Sequence, residues 1–519
     1  MPGIRFRGPG GVPGGGAPGA GGSRGHGLHG IPMSRSELYG TRIQDLLLKP
    51  AVWIVLAVLV GLFLGTLGGG MHYGRFVKIV AAAIYVLVAL RYPLFVGVGL
   101  FFIIYPYPAV IKFGSTNFII LIFLTALWVV RMALRREPRA RRTPLDWAIV
   151  AYIAVHVFSL IHVENTWHLE KCLLALRNLM TPILLYYVVM NVARSRQRLL
   201  FLVEMFTISM MVVYFSSVMQ RHFPGIVWLP QAFLAPIGGK GLFTEVVTGR
   251  VGGIFTHALL GDSTAVMVIL QIYLAIYYRQ RPWMRAYHWF LAVASIYVLG
   301  LTGNRGGLMG FFLGLTYFLW LFSGEFSWRR FAIGATVIVG LFVLEEAILT
   351  HYAKNTLLTR MFATRLEGGI PETRRHVWTY IWDRILENPV FGHGPYFEIG
   401  TYLKGERAAW PHNAYIYYVY TIGLVGLPAY LYLAGRVLQR TWVGRGFSVG
   451  DIPVERGLSA MFHIAAVQFL FGQLRTDHQR GDVFIYFMWI IFSLGLLARE
   501  VWDQQKSAPK VRSRLAGGR

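Results

Sequence analysis

Between residues 374 and 426 the chain reads Arg374-Arg375-His376-Val377-Trp378, then Asn388-Pro389-Val390-Phe391-Gly392-His393-Gly394-Pro395, then Trp410-Pro411-His412-Asn413-Ala414-Tyr415, and from there it becomes a hydrophobic helix. A long polar loop thus re-enters an apolar medium. Arginine, histidine and asparagine at a bilayer boundary are costly unless they bind a charged group or perform chemistry. The rest of the sequence decides which.

More than half of the 519 residues are apolar and only 14% are charged, which makes the chain an all-α, polytopic integral membrane protein. Apolar runs fall at 51–68, 76–90, 93–107, 117–134, 146–161, 173–192, 199–219, 255–278, 288–302, 306–323, 331–349, 412–435, 457–474 and 482–498, about fourteen spans. The net charge of +26 would suggest nucleic acid in a soluble protein. Here the arginines cluster between apolar runs, which excludes nucleic acid and points to anionic lipids and the positive-inside rule. With a cytoplasmic N-terminus, the basic segments 131–142, 194–198, 279–285, 328–330, 436–445 and the C-terminal tail all fall inside. The connections 162–172, 220–254, 303–305, 350–411 and 475–481 then fall outside.

The organisation follows from these runs. Residues 1–45 read as a disordered, basic, Gly/Pro-rich cytoplasmic tail with no signal peptide. Residues 46–349 carry helices 1–11, 350–411 form a large outer loop, 412–500 carry helices 12–14, and 501–519 form a basic cytoplasmic tail. The outer loop is too long for a simple connector, and its apolar spacing over 377–385 predicts short amphipathic helices on the membrane surface. The single Cys172 excludes an intrachain disulfide and a cysteine metal site.

Arginine dominates the outer boundary. Arg250 precedes one span in Gly249-Arg250-Val251-Gly252-Gly253. Arg305 lies in the turn Leu301-Thr302-Gly303-Asn304-Arg305-Gly306-Gly307, and Arg374 and Arg375 open the amphipathic part of the long loop. Any one of them reads as a snorkelling anchor. Three such sites on one face, where the positive-inside rule does not favour arginine, point to a shared anionic ligand, since guanidinium forks suit phosphate oxygens. His412 either caps its helix or takes a proton from a hydroxyl. Glu345 and Glu346 are alternative bases. The outer face has neither an Asp-x-Asp pair nor a His-Glu-x-x-His spacing, so no metal and no metal-held nucleotide sugar is expected.

Arg374 and Trp378, then Asn388, Pro389, Gly392 and Gly394, then Pro411, His412, Asn413 and Tyr415 together resemble the loop signature of the bacterial O-antigen ligase/O-antigen polymerase family. Asn304-Arg305-Gly306 and the Arg250 element resemble two further family elements, and the likeness covers about residues 245–435. Two departures stand out: Thr421 where a glutamate is common, and His393 where a small apolar residue is common. The resemblance implies a GT-C-like fold and a polyprenyl-diphosphate-linked glycan donor, with neither metal nor cofactor. It also implies that Arg250 and Arg305 grip the diphosphate, His412 acts as base, and Arg374, Arg375, Asn413, Tyr415, Trp378 and Asn304 contact substrate.

The expected activity is glycan transfer to an acceptor hydroxyl at the periplasmic face of the bacterial inner membrane, in cell-surface polysaccharide biosynthesis. The acceptor is lipid A core, a second lipid-linked repeat, or a protein hydroxyl. The rivals are a lipid-linked oligosaccharide flippase and a non-catalytic member that scaffolds polysaccharide assembly partners. A flippase would line a central cavity with its basic residues and show related halves, whereas this chain concentrates polar groups in one loop.

Overall fold

The computed structural model describes residues 82–106, 110–111, 114–163, 165–223, 257–324, 340, 366–367, 370–397, 411–476 and 482–507. Among the described residues, apart from two antiparallel ladders of two-residue strands, Val110–Ile111 with Gly114–Ser115 and Leu366–Glu367 with Ile370–Pro371, every regular element is helical. Seven of the described helices are long and apolar enough to cross a membrane. The expected spans at 51–68 and 331–349 and the N-terminal tail lie outside the described residues, apart from Gly340, whereas residues 501–507 of the expected C-terminal tail continue the last helix.

In chain order the helices are α1 (Ala82–Arg91), α2 (Leu94–Ile104), α3 (Thr116–Ala133), α4 (Asp146–Phe158), α5 (Thr166–Val192), α6 (Arg196–His222), α7 (His257–Tyr277), α8 (Pro282–Thr302), α9 (Arg305–Leu321), α10 (Glu372–Glu387), α11 (Ala414–Thr441), α12 (Val454–Gln473) and α13 (Asp482–Ser507). Local sequence sets several of their starts. Ser115, Asn165 and Ser195 accept the Phe118, His168 and Arg198 amides, and Pro282 occupies the first turn of α8. Side-chain caps let α5 and α6 begin before the apolar runs that predict them.

Helices α7 and α13 form the interior. The apolar stretch of each is more than four-fifths buried, as expected of a helix enclosed by other helices. α13 packs against α5, α6, α11 and α12, while α7 packs against α8, α9 and α12. At one end of the bundle the basic turns pair with their neighbours: Arg141 with Glu500 and Arg196 with the buried Glu455, while Arg499 donates to the Trp442 carbonyl. The Asn304 and His412 motifs lie at the opposite helix ends.

Helix α11 is broken. Gly423 adopts φ 73° and ψ −177°, outside the helical region, in a conformation that essentially only glycine tolerates. The break exposes the carbonyls of Tyr420 and Thr421 and the amides of Leu424 and Val425. The segment 389–394 supplies their partners. His393 and Gly394 donate to the Tyr420 and Thr421 carbonyls (both 3.0 Å), and Leu424 and Val425 donate to Pro389 and Val390 (2.8 and 3.2 Å). The Asn-Pro-x-x-Gly-x-Gly motif is therefore a backbone splint for a discontinuous helix, the arrangement that keeps irregular backbone satisfied at membrane depth. α10 closes over the splint, with Ile381 and Ile385 packed in one core with Phe397, Tyr417, Val419 and Tyr420.

A methyl group at Gly423 would lie 2.0 Å from the Val390 carbonyl oxygen, whereas one at Gly435 on the same helix meets nothing within 4 Å. Gly423→Ala is expected to lower the melting temperature of the detergent-purified protein by more than about 5 °C. Gly435→Ala should leave it unchanged or raise it slightly.

Candidate active site

The turn from α8 to α9 is built around Asn304. Gly303 ends α8 in the left-handed region, and Asn304 caps α9 by accepting the Gly306 amide at 3.0 Å. Its side-chain amide donates to the Ala258 carbonyl (2.9 Å) and to Asp262 Oδ1 (3.3 Å), tying the turn to the start of α7. α7 and α9 meet so closely that a methyl group on Gly307 would lie 2.7 Å from the Gly261 carbonyl oxygen. Arg305 is half-buried as the first residue of α9.

The Pro411-His412-Asn413 segment is anchored on both sides. Trp378 of α10 donates its indole N–H to the Pro411 carbonyl at 2.7 Å. Asn413 caps α11 by accepting the Tyr415 and Ile416 amides, and its own amide donates to the Leu474 carbonyl at 3.1 Å. Between these anchors His412 takes a left-handed conformation, φ 47°, with its side chain exposed. A non-glycine residue there costs of order 1 kcal/mol, so the anchors hold the imidazole at a set place outside the helix. The Tyr415 hydroxyl donates to the Leu470 carbonyl at 2.9 Å, fastening α11 to α12.

The residue between these two motifs is Arg475, which the sequence reading left unassigned. It follows α12, adjacent to the carbonyl that Asn413 binds, and its guanidinium lies against Gly306. A methyl group on Gly306 would come within 1.1 Å of Arg475 Nη1. Asp262 Oδ1 lies 3.6 Å from Nη2, and the guanidinium stands 5.1 Å from the Phe471 ring centroid. Burial pulls the guanidinium's proton affinity below its ordinary value, and Asp262 opposes that shift. An arginine directly after an apolar helix carries the same sequence signature as a snorkelling anchor, so only the packing distinguishes it.

Through Arg475, Leu474 and Asn413 the structure thus brings the Arg305 turn and the His412 cap into one neighbourhood. Arg250 lies outside the described residues. Arg374 and Arg375 sit in the first turns of α10, but their side chains lie outside the described residues, as do Glu345 and Glu346.

These two motifs, in this order, agree with a comparison against known families. Residues 289–431 match the family model of the O-antigen ligases. Over those residues the chain resembles the O-antigen ligases, and the seven long apolar helices are consistent with a polytopic membrane protein. The match runs from within α8, through Asn304, Arg305, α10 and the splint, to residue 431 of α11, inside the stretch expected from the motifs. No curated protein matches the chain.

His393 belongs to the splint. Its Nε2–H donates to the Arg384 carbonyl at 2.7 Å, so the neutral ring can accept from the Asn388 amide at Nδ1 (3.3 Å), and the ring stacks on Tyr420 at 4.8 Å. Burial holds the imidazole below the ordinary histidine range, opposed by the hydrogen bond to Arg384. The locally unfolded segment takes up a proton near the ordinary value of about 6.5, before the folded one does. Stability from this group is therefore complete above that pH and declines as pH falls through it. The protection of the His393 and Gly394 amides, measured relative to their intrinsic exchange rates at each pH, should fall as pH drops below about 6.5, and His393→Gln should remove that dependence.

Proposed function

We propose that the chain is an inner-membrane glycosyltransferase of the O-antigen ligase/polymerase type, moving a glycan from a polyprenyl-diphosphate carrier to an acceptor hydroxyl at the periplasmic face. The observation that carries this reading is the convergence of the Arg305 turn and the anchored, exposed His412 at one end of the bundle. His412 removes the acceptor proton as the oxygen attacks the anomeric carbon. The bond from that carbon to the diphosphate oxygen breaks, and its electron pair leaves with the lipid diphosphate. Arg305 and Arg250 stabilise the charge that develops there. Arginine forks and positioning suffice, without a metal or cofactor.

In this reading Arg374 and Arg375 contact the donor. Asn304, Asn413, Tyr415 and Trp378, whose polar groups are engaged as described above, contact substrate from positions that also fix Arg305 and His412. The family match supports the general activity. The fourteen-span count, the GT-C-like arrangement, the domain limits, the cytoplasmic termini and the contacts with anionic lipids and assembly partners are part of the same proposal. The flippase alternative ranks lower because Asn304, Arg305, His412 and Asn413 gather at one end of the bundle, whereas a carrier would place its site at the centre, between related halves.

His412→Ala should reduce transfer by about a hundredfold or more while the purified protein keeps its melting temperature, since a positioned base contributes ~10²–10⁴. Arg305→Lys should lose about tenfold or more, because a point charge does not replace a bidentate fork. Near-normal transfer by either variant would remove that residue from the mechanism. Both rates come from purified protein incubated with a polyprenyl-diphosphate glycan and, separately, lipid A core, a second lipid-linked repeat and a peptide. A ladder of lengths marks a polymerase, and a single transfer to lipid or peptide marks a ligase or protein glycosyltransferase.

A further inference from the structure

We infer that Trp320, Trp442 and Arg445 form a headgroup site for one anionic phospholipid, at the membrane boundary opposite the His412 end of the bundle. The inference needs the chain in a bilayer and holds whatever the chain transfers. It goes beyond the diffuse attraction of basic turns to anionic lipid, because it names one built place.

The site begins with a closed ring of four aromatic side chains from α9, the end of α11 and α12. Tyr317 and Trp320 stack at 5.5 Å, and Trp442 lies 5.8 Å from Trp320. His463 lies 5.5 Å from Trp442 and 5.6 Å from Tyr317. Hydrogen bonds fix its buried edge. Thr441 gives its hydroxyl proton to the Val437 carbonyl (2.8 Å) and so accepts from His463 Nδ1–H (2.9 Å), which leaves Nε2 to accept from the Tyr317 hydroxyl (2.8 Å). The opposite edge is open: Trp320 is 41% exposed and Trp442 39%. Neither indole N–H has a hydrogen-bond partner among the described residues.

Arg445 is set onto this wall by its own turn. Gly444 and Gly446, on either side of it, take φ of 91° and 81°, which glycine adopts without strain. The Gly446 and Phe447 amides both donate to the Leu321 carbonyl at the end of α9 (2.9 and 3.2 Å). The guanidinium then stands 5.6 Å from the Trp320 ring centroid. A cation–π contact with only a structural task would staple the loop to α9, but the two amides already make that join. A guanidinium over a ring keeps its N–H donors in its own plane. Arg445 is exposed and makes no hydrogen bond or ion pair among the described residues, so those donors are open.

An anionic phospholipid matches each part. Its phosphate oxygens accept from the guanidinium and the indole N–H groups, the donors that suit a membrane–water boundary. Its chains lie against the exposed side of α9, where Met309, Phe312, Thr316 and Trp320 recur at helical spacing. Its net negative charge answers a cation that the protein leaves unpaired. A free phosphate would use the donors and ignore the apolar half of the site.

The test uses the full chain, purified in detergent and titrated with phosphatidylglycerol or phosphatidylcholine, with bound lipid counted by native mass spectrometry. The wild type is expected to hold one phosphatidylglycerol about tenfold or more tightly than phosphatidylcholine. Arg445→Gln should weaken phosphatidylglycerol by about tenfold, to the level of phosphatidylcholine, and Arg445→Lys should recover part of that loss. Trp320→Leu keeps the charge but removes the ring beneath it, and should also weaken binding. These variants reach one contact from two elements, so if one failed to fold the other would decide. Arg136→Gln removes an exposed arginine from another turn at the same end of the bundle and should change binding by less than about twofold.

Unchanged phosphatidylglycerol binding in Arg445→Gln, or in Trp320→Leu, would overturn the inference. An equal loss in Arg136→Gln would also overturn it, since the attraction would then be diffuse surface charge. Displacement of the lipid by inorganic phosphate would reduce the site to an adventitious anion only, and equal affinity for phosphatidylcholine would remove the role of charge. Glycan transfer is not a readout here, so the transferase reading stands or falls separately.

Discussion

The broken backbone of α11 has four polar groups that need partners, and all four find them in one short segment, 389–394. An unpaired backbone group away from water costs several kcal/mol, so neither the break nor the segment is stable without the other. That mutual dependence reaches the site in two steps. The splint fixes the end of α10 through Asn388, His393 and the Arg384 carbonyl. α10 in turn carries Trp378, which holds the Pro411 carbonyl and hence the backbone before His412. The conformation of the candidate base is set by a pairing on the far side of two helical turns of α11.

This pairing also shows what the two residues that depart from the resembled motif, His393 and Thr421, do here. His393 is buried inside the splint, where it finds a carbonyl, an amide and an aromatic face. A small apolar residue would leave that space to be filled otherwise. Thr421 returns its hydroxyl to the Tyr417 carbonyl, and its own carbonyl receives the Gly394 amide. Both departures therefore lie at the junction of loop and broken helix. They bear on how the splint is packed.

Much of the helical architecture was legible because apolar runs long enough to span a bilayer have few other uses. The caps were not: the sequence makes His412 the capping candidate for α11, but Asn413 takes that place, and Asn304 reads only as part of a turn. Nor was the break in α11. Gly423 sits among apolar neighbours in Thr421-Ile422-Gly423-Leu424, while Pro428, the stronger helix breaker by type, lies five residues later inside continuing helix. What decides the matter is where partners exist: Pro428 removes one donor, but only at Gly423 does a neighbouring segment offer two donors and two acceptors. Arg475 escaped for a related reason. Its meaning depends on the empty space at Gly306, more than 160 positions earlier, and no local pattern encodes that.

The side chains around the site divide their tasks by what they bind. Asn304, Asn413, Trp378 and Tyr415 each direct a polar group to the backbone of another element: Ala258, Leu474, Pro411 and Leu470. Backbone acceptors move only when whole helices move, so the positions of Arg305 and His412 are set by the packing of α7, α10, α11 and α12 as rigid bodies. In the proposed reading, a donor site held this way keeps its geometry whatever acceptor approaches, which is the property a transferase needs when the leaving group is constant and the hydroxyl varies. The acceptor would then be read by surfaces that the anchored framework leaves unconstrained.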